Sequence, residues 1–423
     1  MSDKILNIQN SILFYKFPLI LTILIPFFLI TGPFLSDLSV TICSIIFIFN
    51  IIKFKNYNYI KNTYSYFFLF FIFILLISSL LSNDVLYSSK SSIFYIRFYL
   101  FTLSTWFLVK INPKIINYIF ISILICFFIL TIDGFIQFIF KENIFGWPLI
   151  KTRVSSFFGD ELILGSYLSR LFPLLFAGMI FRNQLYKKKD FLFYLVLIVF
   201  VLSEVLIFLS GERIAFFYLN LSALFILLLS TNYKKIRFFT LSLSLILIVL
   251  ISNFSPQFKE RMVDKTMEQI GINTDQKYVF TPQHNDHYIS AIKMFKKNIL
   301  FGIGPKMFRH ECSDEQYKVS NYSCSTHPHN SYLQLLSETG LFSFLILTYV
   351  FIYFSYKSLQ HFFSKILKNK IIFSDFQIAL MSAILISIWP IAPTGNFFNN
   401  WISIVYFYPI GIFLWTIENR KIL

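Results

Sequence analysis

Residues 191–254 read FLFYLVLIVFVLSEVLIFL, then SGER, then IAFFYLNLSALFILLL, then STNYKKIR, then FFTLSLSLILIVLISNF. The three apolar runs, at 191–209, 213–231 and 236–254, are separated only by short polar turns. Each suits a helix of about 20 residues, the length that crosses a hydrocarbon core of roughly 30 Å. Working outward, similar runs lie at 17–35, 36–52, 64–82, 92–109, 114–133 and 162–181, and at 331–354, 376–394 and 399–417. The first two share a tight turn around Gly32, Pro33 and Asp37. The expected fold class is an all-α polytopic membrane protein with about 12 transmembrane helices. A large polar loop separates the ninth from the tenth.

Composition agrees with that reading. Of 423 residues, 56% are hydrophobic, 20% aromatic and only 14% charged, which excludes a soluble globular domain. The net charge of +16 does not mark a nucleic-acid binder, because the basic residues fall in short clusters between apolar runs. With a cytoplasmic N-terminus, twenty Lys and Arg residues fall in inside segments, Lys4, Lys188, Arg420 and Lys421 among them. Only five (Lys90, Lys141, Lys151, Arg153 and Arg213) fall in the short outside loops. The positive-inside rule then places both termini in the cytoplasm and the long loop outside. The polar stretch Met1–Lys16 leads into an apolar run without a small-residue cleavage site, so a retained first helix is expected. The chain divides into helices one to nine (1–254), an outer loop or lid with short helices (255–330) and helices ten to twelve (331–423).

The loop 255–330 holds 18 charges and five of the six histidines. Asp286–Lys297 has the pattern of an amphipathic helix, with Ile289 and Ile292 on the face that would lie along the membrane. A loop this long inside a compact protein is usually functional or disordered, and its Cys pair and aromatic content favour an ordered lid. Cys312 and Cys324 most economically form a disulfide in an oxidising compartment. The rival is a zinc site with His310, His327 and His329, but the spacing matches no standard zinc pattern, and no metal is expected. Cys43 and Cys126 lie inside apolar runs and read as small buried hydrophobes.

Two groups of residues can carry chemistry. Arg97, Arg153, Arg170 and Arg213 stand at or within helices that begin on the outer side, where guanidinium forks suit phosphate oxygens. The alternative for each is pairing with Asp133, Glu161, Glu204 or Glu212, or snorkelling. The second group is His329 at the mouth of the tenth helix, followed by a stripe of Asn330, Gln334 and Glu338 at four-residue spacing. A neutral imidazole there is suited to taking a proton from a hydroxyl.

His329-Asn330, nine residues and then Gly340-Leu341-Phe342-Ser343 resembles the HN-x9-GxxG/T signature of the O-antigen ligase and polymerase superfamily. The final position is Ser instead of Gly or Thr. Arg153-Val154-Ser155-Ser156-Phe157-Phe158-Gly159-Asp160 with Leu164-Gly165-Ser166-Tyr167-Leu168 is similar to the block that opens a helix after an outer loop of that family. Ser210-Gly211-Glu212-Arg213 resembles its "SGSR" turn, and Phe301-Gly302-Ile303-Gly304-Pro305 its "GvGpg" turn. Where the family often carries a loop arginine, this sequence has His284, with His287 one turn on; Arg261 or Arg309 could take the role instead.

The resemblance implies a glycosyltransferase of the bacterial inner membrane. It would move a glycan from an undecaprenyl-diphosphate carrier to a lipid A core hydroxyl or a growing glycan at the periplasmic face, without metal, nucleotide or other cofactor. His329 would be the base and Arg213 the catalytic arginine, with inversion at the anomeric carbon. Arg153, Arg97, Arg170, Asn330, Gln334, Glu338, His284 and His287 would bind substrate. A ligase fits better than a polymerase. A twelve-helix transporter fits worse, because no two halves repeat. The partners expected are the lipid-linked glycan, the acceptor and membrane lipids, with no nucleic acid and the protein as a monomer.

Overall fold

The structure, a computed structural model, describes residues 11–187, 189–269 and 280–418. Lys4, Lys188, Arg420 and Lys421, which enter the charge count for orientation, lie outside the described residues, as do positions 1–10 of the N-terminal stretch. Twelve apolar helices are named here: α1 Phe17–Ile30, α2 Pro33–Phe54, α3 Thr63–Leu80, α4 Val85–Ile111, α5 Ile115–Phe140, α6 Leu164–Tyr186, α7 Phe191–Leu209, α8 Arg213–Leu229, α9 Lys234–Phe254, α10 Ser331–Leu367, α11 Asp375–Ser387 and α12 Asn400–Glu418. A helical turn, Ile12–Lys16, runs into α1. Among the described residues ten helices are long and apolar enough to cross a membrane, α1 when counted with the turn from Ile12, and α8 and α11 are apolar but shorter.

The outward faces of α2, α3 and α9 expose Phe49, Phe70, Phe73, Phe238 and Phe239. Apolar surface of that kind suits contact with lipid, because helices satisfy their own backbone groups and need no polar solvent. Every residue of α11 is buried, as is most of α6, which packs against it.

Several helix limits differ from the sequence expectation: α1 ends at Ile30 instead of 35, α5 runs on to Phe140 instead of 133 and α6 to Tyr186 instead of 181. α4 begins at Val85 rather than 92 because Asp84 caps it, accepting from the Tyr87 amide at 2.9 Å. Its first turns are polar on the inner side, where Ser88 and Ser92 hydrogen-bond to Ser79 of α3. α10 continues to Leu367, beyond the expected 354. α11 stops at Ser387 after 13 residues, about 20 Å of helix. The chain from 388 to 399, with Pro390, Pro393 and Gly395, cannot continue it and runs as irregular backbone. Such backbone is tolerated at membrane depth only when buried in protein; the second half of the segment, with Thr394, Asn396, Phe397 and Phe398, is buried, whereas Ile391 is exposed.

Arg237, counted in the sequence as an inside topology charge, is fully buried and pairs with Glu204 of α7, which also accepts from Ser244. The histidine outside the loop, His361, is also buried; its Nε2 contacts the Leu229 carbonyl at the end of α8, and Nδ1 accepts from the amides of Ile372 and Phe373.

Candidate functional site

The turn between α7 and α8 organises the arginines. Gly211 has φ +67°, and the Gly211 carbonyl accepts from Arg261 Nε at 2.9 Å. Glu212 turns across to α6 and accepts from the Gly165 amide (2.7 Å), the Ser166 amide (3.0 Å) and the Ser166 hydroxyl (2.6 Å). It thus caps a neighbouring helix with a negative charge at the favourable end of its dipole. A Cβ on Gly165 would meet Ser210 Oγ at 2.4 Å, so this docking requires glycine there.

Arg153 is fixed to the same turn. Its Nε donates to the Ser210 carbonyl at 2.7 Å, one Nη donates to Leu162 at 3.2 Å, and Glu212 lies 3.9 Å away. Burial lowers the Arg153 pKa, with Glu212 opposing and the Arg261 charge adding to the shift. The sequence motifs at 153, 164–168 and 210–213 are therefore one assembly: Arg153 and Arg261 both donate to the 210–211 backbone, Arg153 faces Glu212, and Arg153 and Arg213 each lie in the field of Arg261.

The loop places four imidazoles together. The helix Pro282–Lys297 is capped by Thr281 and begins four residues earlier than expected; it buries His287, Tyr288 and Met294 and leaves Ile289 and Ile292 exposed. His329 adopts φ +56° just before α10. Its ring centroid lies 5.2 Å from that of His284, 5.4 Å from His287 and 4.1 Å from His327. Its Nε2 is 3.0 Å from Ser325 Oγ. His327 is buried between Thr326 Oγ1 (2.9 Å) and the Thr394 carbonyl (3.2 Å), and the Thr394 amide donates to the His329 carbonyl at 2.8 Å.

Burial lowers the His329 pKa to about 3, helped by its three imidazole neighbours, and that of His327 to about 4. His284 is lowered by burial first, then by His287 and by the charge of Arg213. The arginine turn and the histidine group are thereby electrostatic neighbours, and all four rings favour the neutral form.

The polar stripe of α10 serves another purpose than the sequence suggests. Asn330 caps the helix, accepting from the Tyr332 and Leu333 amides, and donates to the Pro390 carbonyl at 2.7 Å. Gln334 and Glu338 are fully buried and face protein, not open space. Glu338 accepts from the amides of Lys306 (3.0 Å) and Phe308 (3.1 Å) and from Gln334, whose own Oε1 accepts from the Phe397 amide. These two residues hold the loop and the 388–399 segment to α10 and have no surface left for a substrate.

Arg97 stands apart from the arginine turn, and Arg170 reaches it only through the field of Glu212. Arg97 makes an ion pair with Asp37 at 2.8 Å, a partner the sequence reading did not consider. Arg170 is buried in α6 between Tyr218 and Tyr406, at 4.7 and 5.5 Å from their ring centroids. Cys312 and Cys324 are joined in a disulfide, which removes both thiols from the rival zinc set. Cys43 and Cys126 are free and buried. Among the described residues, no three His, Cys, Asp or Glu side chains are arranged to hold a metal ion. The segment 388–399, which touches both His327 and His329, was missed in the sequence; its two prolines and Gly395 inside an apolar run were the available signal.

The arrangement is that of a multi-pass helical membrane protein in which a group of four neutral histidines lies in the field of the arginine turn through Arg213. Residues 195–348 match the family model described as O-antigen ligase, a stretch that includes Arg213, Arg261, His284, His329 and Gly340. The match supports the O-antigen ligase and polymerase superfamily and, with it, a membrane glycosyltransferase-like enzyme. No curated protein matches the chain.

Proposed function

We propose that this chain is an O-antigen ligase. It moves a glycan from undecaprenyl diphosphate to a hydroxyl of the lipid A core at the periplasmic face of a bacterial inner membrane. The observation that carries this reading is that the Arg213 charge reaches His284, whose ring lies 5.2 Å from that of His329. A candidate phosphate-binding group and a candidate base thus lie within electrostatic reach of each other.

In this mechanism Arg213, Arg153 and Arg261 hold the diphosphate and stabilise the charge that grows on it as it leaves. The acceptor hydroxyl gives its proton to His329. Its oxygen bonds to the anomeric carbon while the bond from that carbon to the diphosphate oxygen breaks, and the electron pair departs with the diphosphate. Attack from the face opposite the leaving group inverts the configuration. With its pKa near 3 the imidazole is unprotonated at neutral pH. An anion bound beside it raises that value towards the range where a base works best. His284 and His287 stand where the family's loop arginine would be and offer neutral donors to phosphate oxygens. Asn330 and His327 are positioning residues, since their partners Pro390 and Thr394 fix the backbone that carries His329.

The deciding experiment is a deletion strain. Accumulation of unattached lipid-linked glycan supports the ligase. A single repeat unit attached to lipid A would instead indicate the polymerase, and unchanged lipopolysaccharide would overturn both.

A further inference from the structure

A cavity of about 410 Å³ opens between α2, α4 and the start of α12, roofed by Lys306 of the loop. None of its lining residues belongs to the elements that carry Arg153, Arg213 or Arg261. Three cations line it, Lys90, Arg97 and Lys306, against one carboxylate, Asp37. Asp37 is engaged by Arg97 at 2.8 Å, and among the described residues neither lysine makes an ion pair, although Lys306 lies in the fields of Glu338 and Asp37. The remaining wall combines aromatic faces, Tyr95 and Phe398, with the hydrogen-bonding groups of Ser91 and Asn400. Unpaired ammonium groups, aromatic faces and neutral polar groups together form the surface that a charged sugar needs.

We propose that this cavity receives a phosphorylated sugar of the acceptor glycolipid, with Lys90 and Lys306 on the phosphate and Tyr95 and Phe398 against the ring. The proposal rests on the glycan-transfer reading above and adds to it the acceptor's chemistry. Two separate ammonium groups match the roughly two negative charges of a phosphate monoester better than the single charge of a carboxylate. The volume takes a sugar unit rather than a chain. The site is also joined to the reaction centre. The Lys306 amide and the Phe397 amide, next to Phe398, both bond within the Gln334 and Glu338 network of α10, the helix that His329 precedes. Two basic groups reach the histidines: His284 lies in the field of Arg213, and His327 in that of Arg309, which also crowds Lys306. A donor diphosphate on one side and an acceptor phosphate on the other would bring the acceptor hydroxyl between them.

The test uses the full chain in nanodiscs and measures binding of core lipid A carrying its phosphates, and of the same glycolipid after phosphatase treatment. The wild-type protein should bind the phosphorylated form about tenfold more tightly, a gap of roughly 1.4 kcal/mol. K90Q/K306Q should lose that preference, and K90R/K306R should restore most of it. Equal binding of both glycolipids, or an unchanged preference in K90Q/K306Q, overturns the inference. So does displacement by phosphatidylglycerol as effective as that by the phosphorylated glycolipid, which would mark a bulk phospholipid site. Glycan transfer by the wild-type protein is measured in parallel; its absence would sink the ligase reading, while the binding results would still decide on the cavity.

Discussion

Gly340 lies directly against the peptide that joins Leu300 to Phe301; a Cβ placed on it would sit 2.2 Å from the Leu300 carbonyl oxygen. The contact is reciprocal, since a Cβ on Gly302 would meet the Glu338 carbonyl carbon at 2.4 Å. At Gly340, with φ 74° and ψ −170°, α10 kinks. Around the kink, the carbonyls of Ser337 and Glu338 accept from the loop amides of Ile303 (3.0 Å) and Gly304 (2.7 Å), and the Leu341 amide donates to Ile299 at 2.8 Å. The two glycine motifs of the sequence are the halves of one joint that holds the loop at a set height above His329.

Gly340→Ala should therefore release the loop more than it disturbs the bundle. Positive φ and a backbone clash together cost on the order of 1–3 kcal/mol or more. Limited proteolysis within 280–330 should accelerate and transfer should fall, while the membrane helices stay inserted. Unchanged cleavage would refute the joint.

His329→Ala should abolish transfer at normal protein abundance, because it removes the proton acceptor. His327→Ala should reduce transfer less, since that ring orients the Thr394 segment from a buried position. Wild-type turnover of purified His329→Ala in liposomes would end the base assignment.

For the arginine turn, Arg213→Lys should be nearly as damaging as Arg213→Ala, because a point charge does not replace a planar fork on a diphosphate. A loss on the order of 100-fold in kcat is expected for either. Arg153→Ala should lose activity and also loosen the turn, since its Nε supports the Ser210 carbonyl. Full activity of Arg213→Lys would reduce that residue to a topology charge.

Much of this was legible in the sequence, and the exceptions share a cause. Apolar runs of about 20 residues reveal spans because length against bilayer thickness is a local property. The HN-x9-Gly spacing is local too, and so was the likeness it suggested. Glu338 was read as a ligand-facing residue because helix periodicity places it on one face without saying what covers that face. Its partners, the amides of Lys306 and Phe308, come from 30 or more residues away. Arg97 and Asp37 are separated by 60 positions, so their pairing has no sequence signature. The segment 388–399 was read as the end of a span because its hydrophobicity outweighed its prolines.

Replacing both Cys312 and Cys324 by Ser should lower activity and open the loop to protease without unfolding the bundle. A crosslink closing a loop this short contributes roughly 2–4 kcal/mol in the chain-entropy picture, enough to matter locally but small beside a helical core of this size. Alkylation with mass shift, on protein taken from membranes without reductant, should label neither thiol. Two freely alkylated thiols would refute the bridge.

The last expectation concerns pH. Unfolded imidazoles take up a proton near pH 6.5, whereas the folded loop holds His329 down to about 3 and His327 to about 4, with His284 and His287 also lowered, all chiefly by burial. Asp286 beside His287 and the hydrogen bond of His327 to Thr394 oppose the shifts, while Arg213 and Arg309 reinforce them. Between the folded and unfolded values the open loop binds more protons, so acid favours opening. The contribution of these histidines is complete above about pH 6.5, declines steadily below it, and is gone once pH has fallen through the folded values of about 4 to 3. Hydrogen exchange in 280–330, corrected for intrinsic rates, should therefore show less protection at pH 5 than at pH 7.5, while α6 and α11 remain protected at both. Equal loop protection at the two pH values would mean that the histidines are already protonated, or are not buried, in the folded protein.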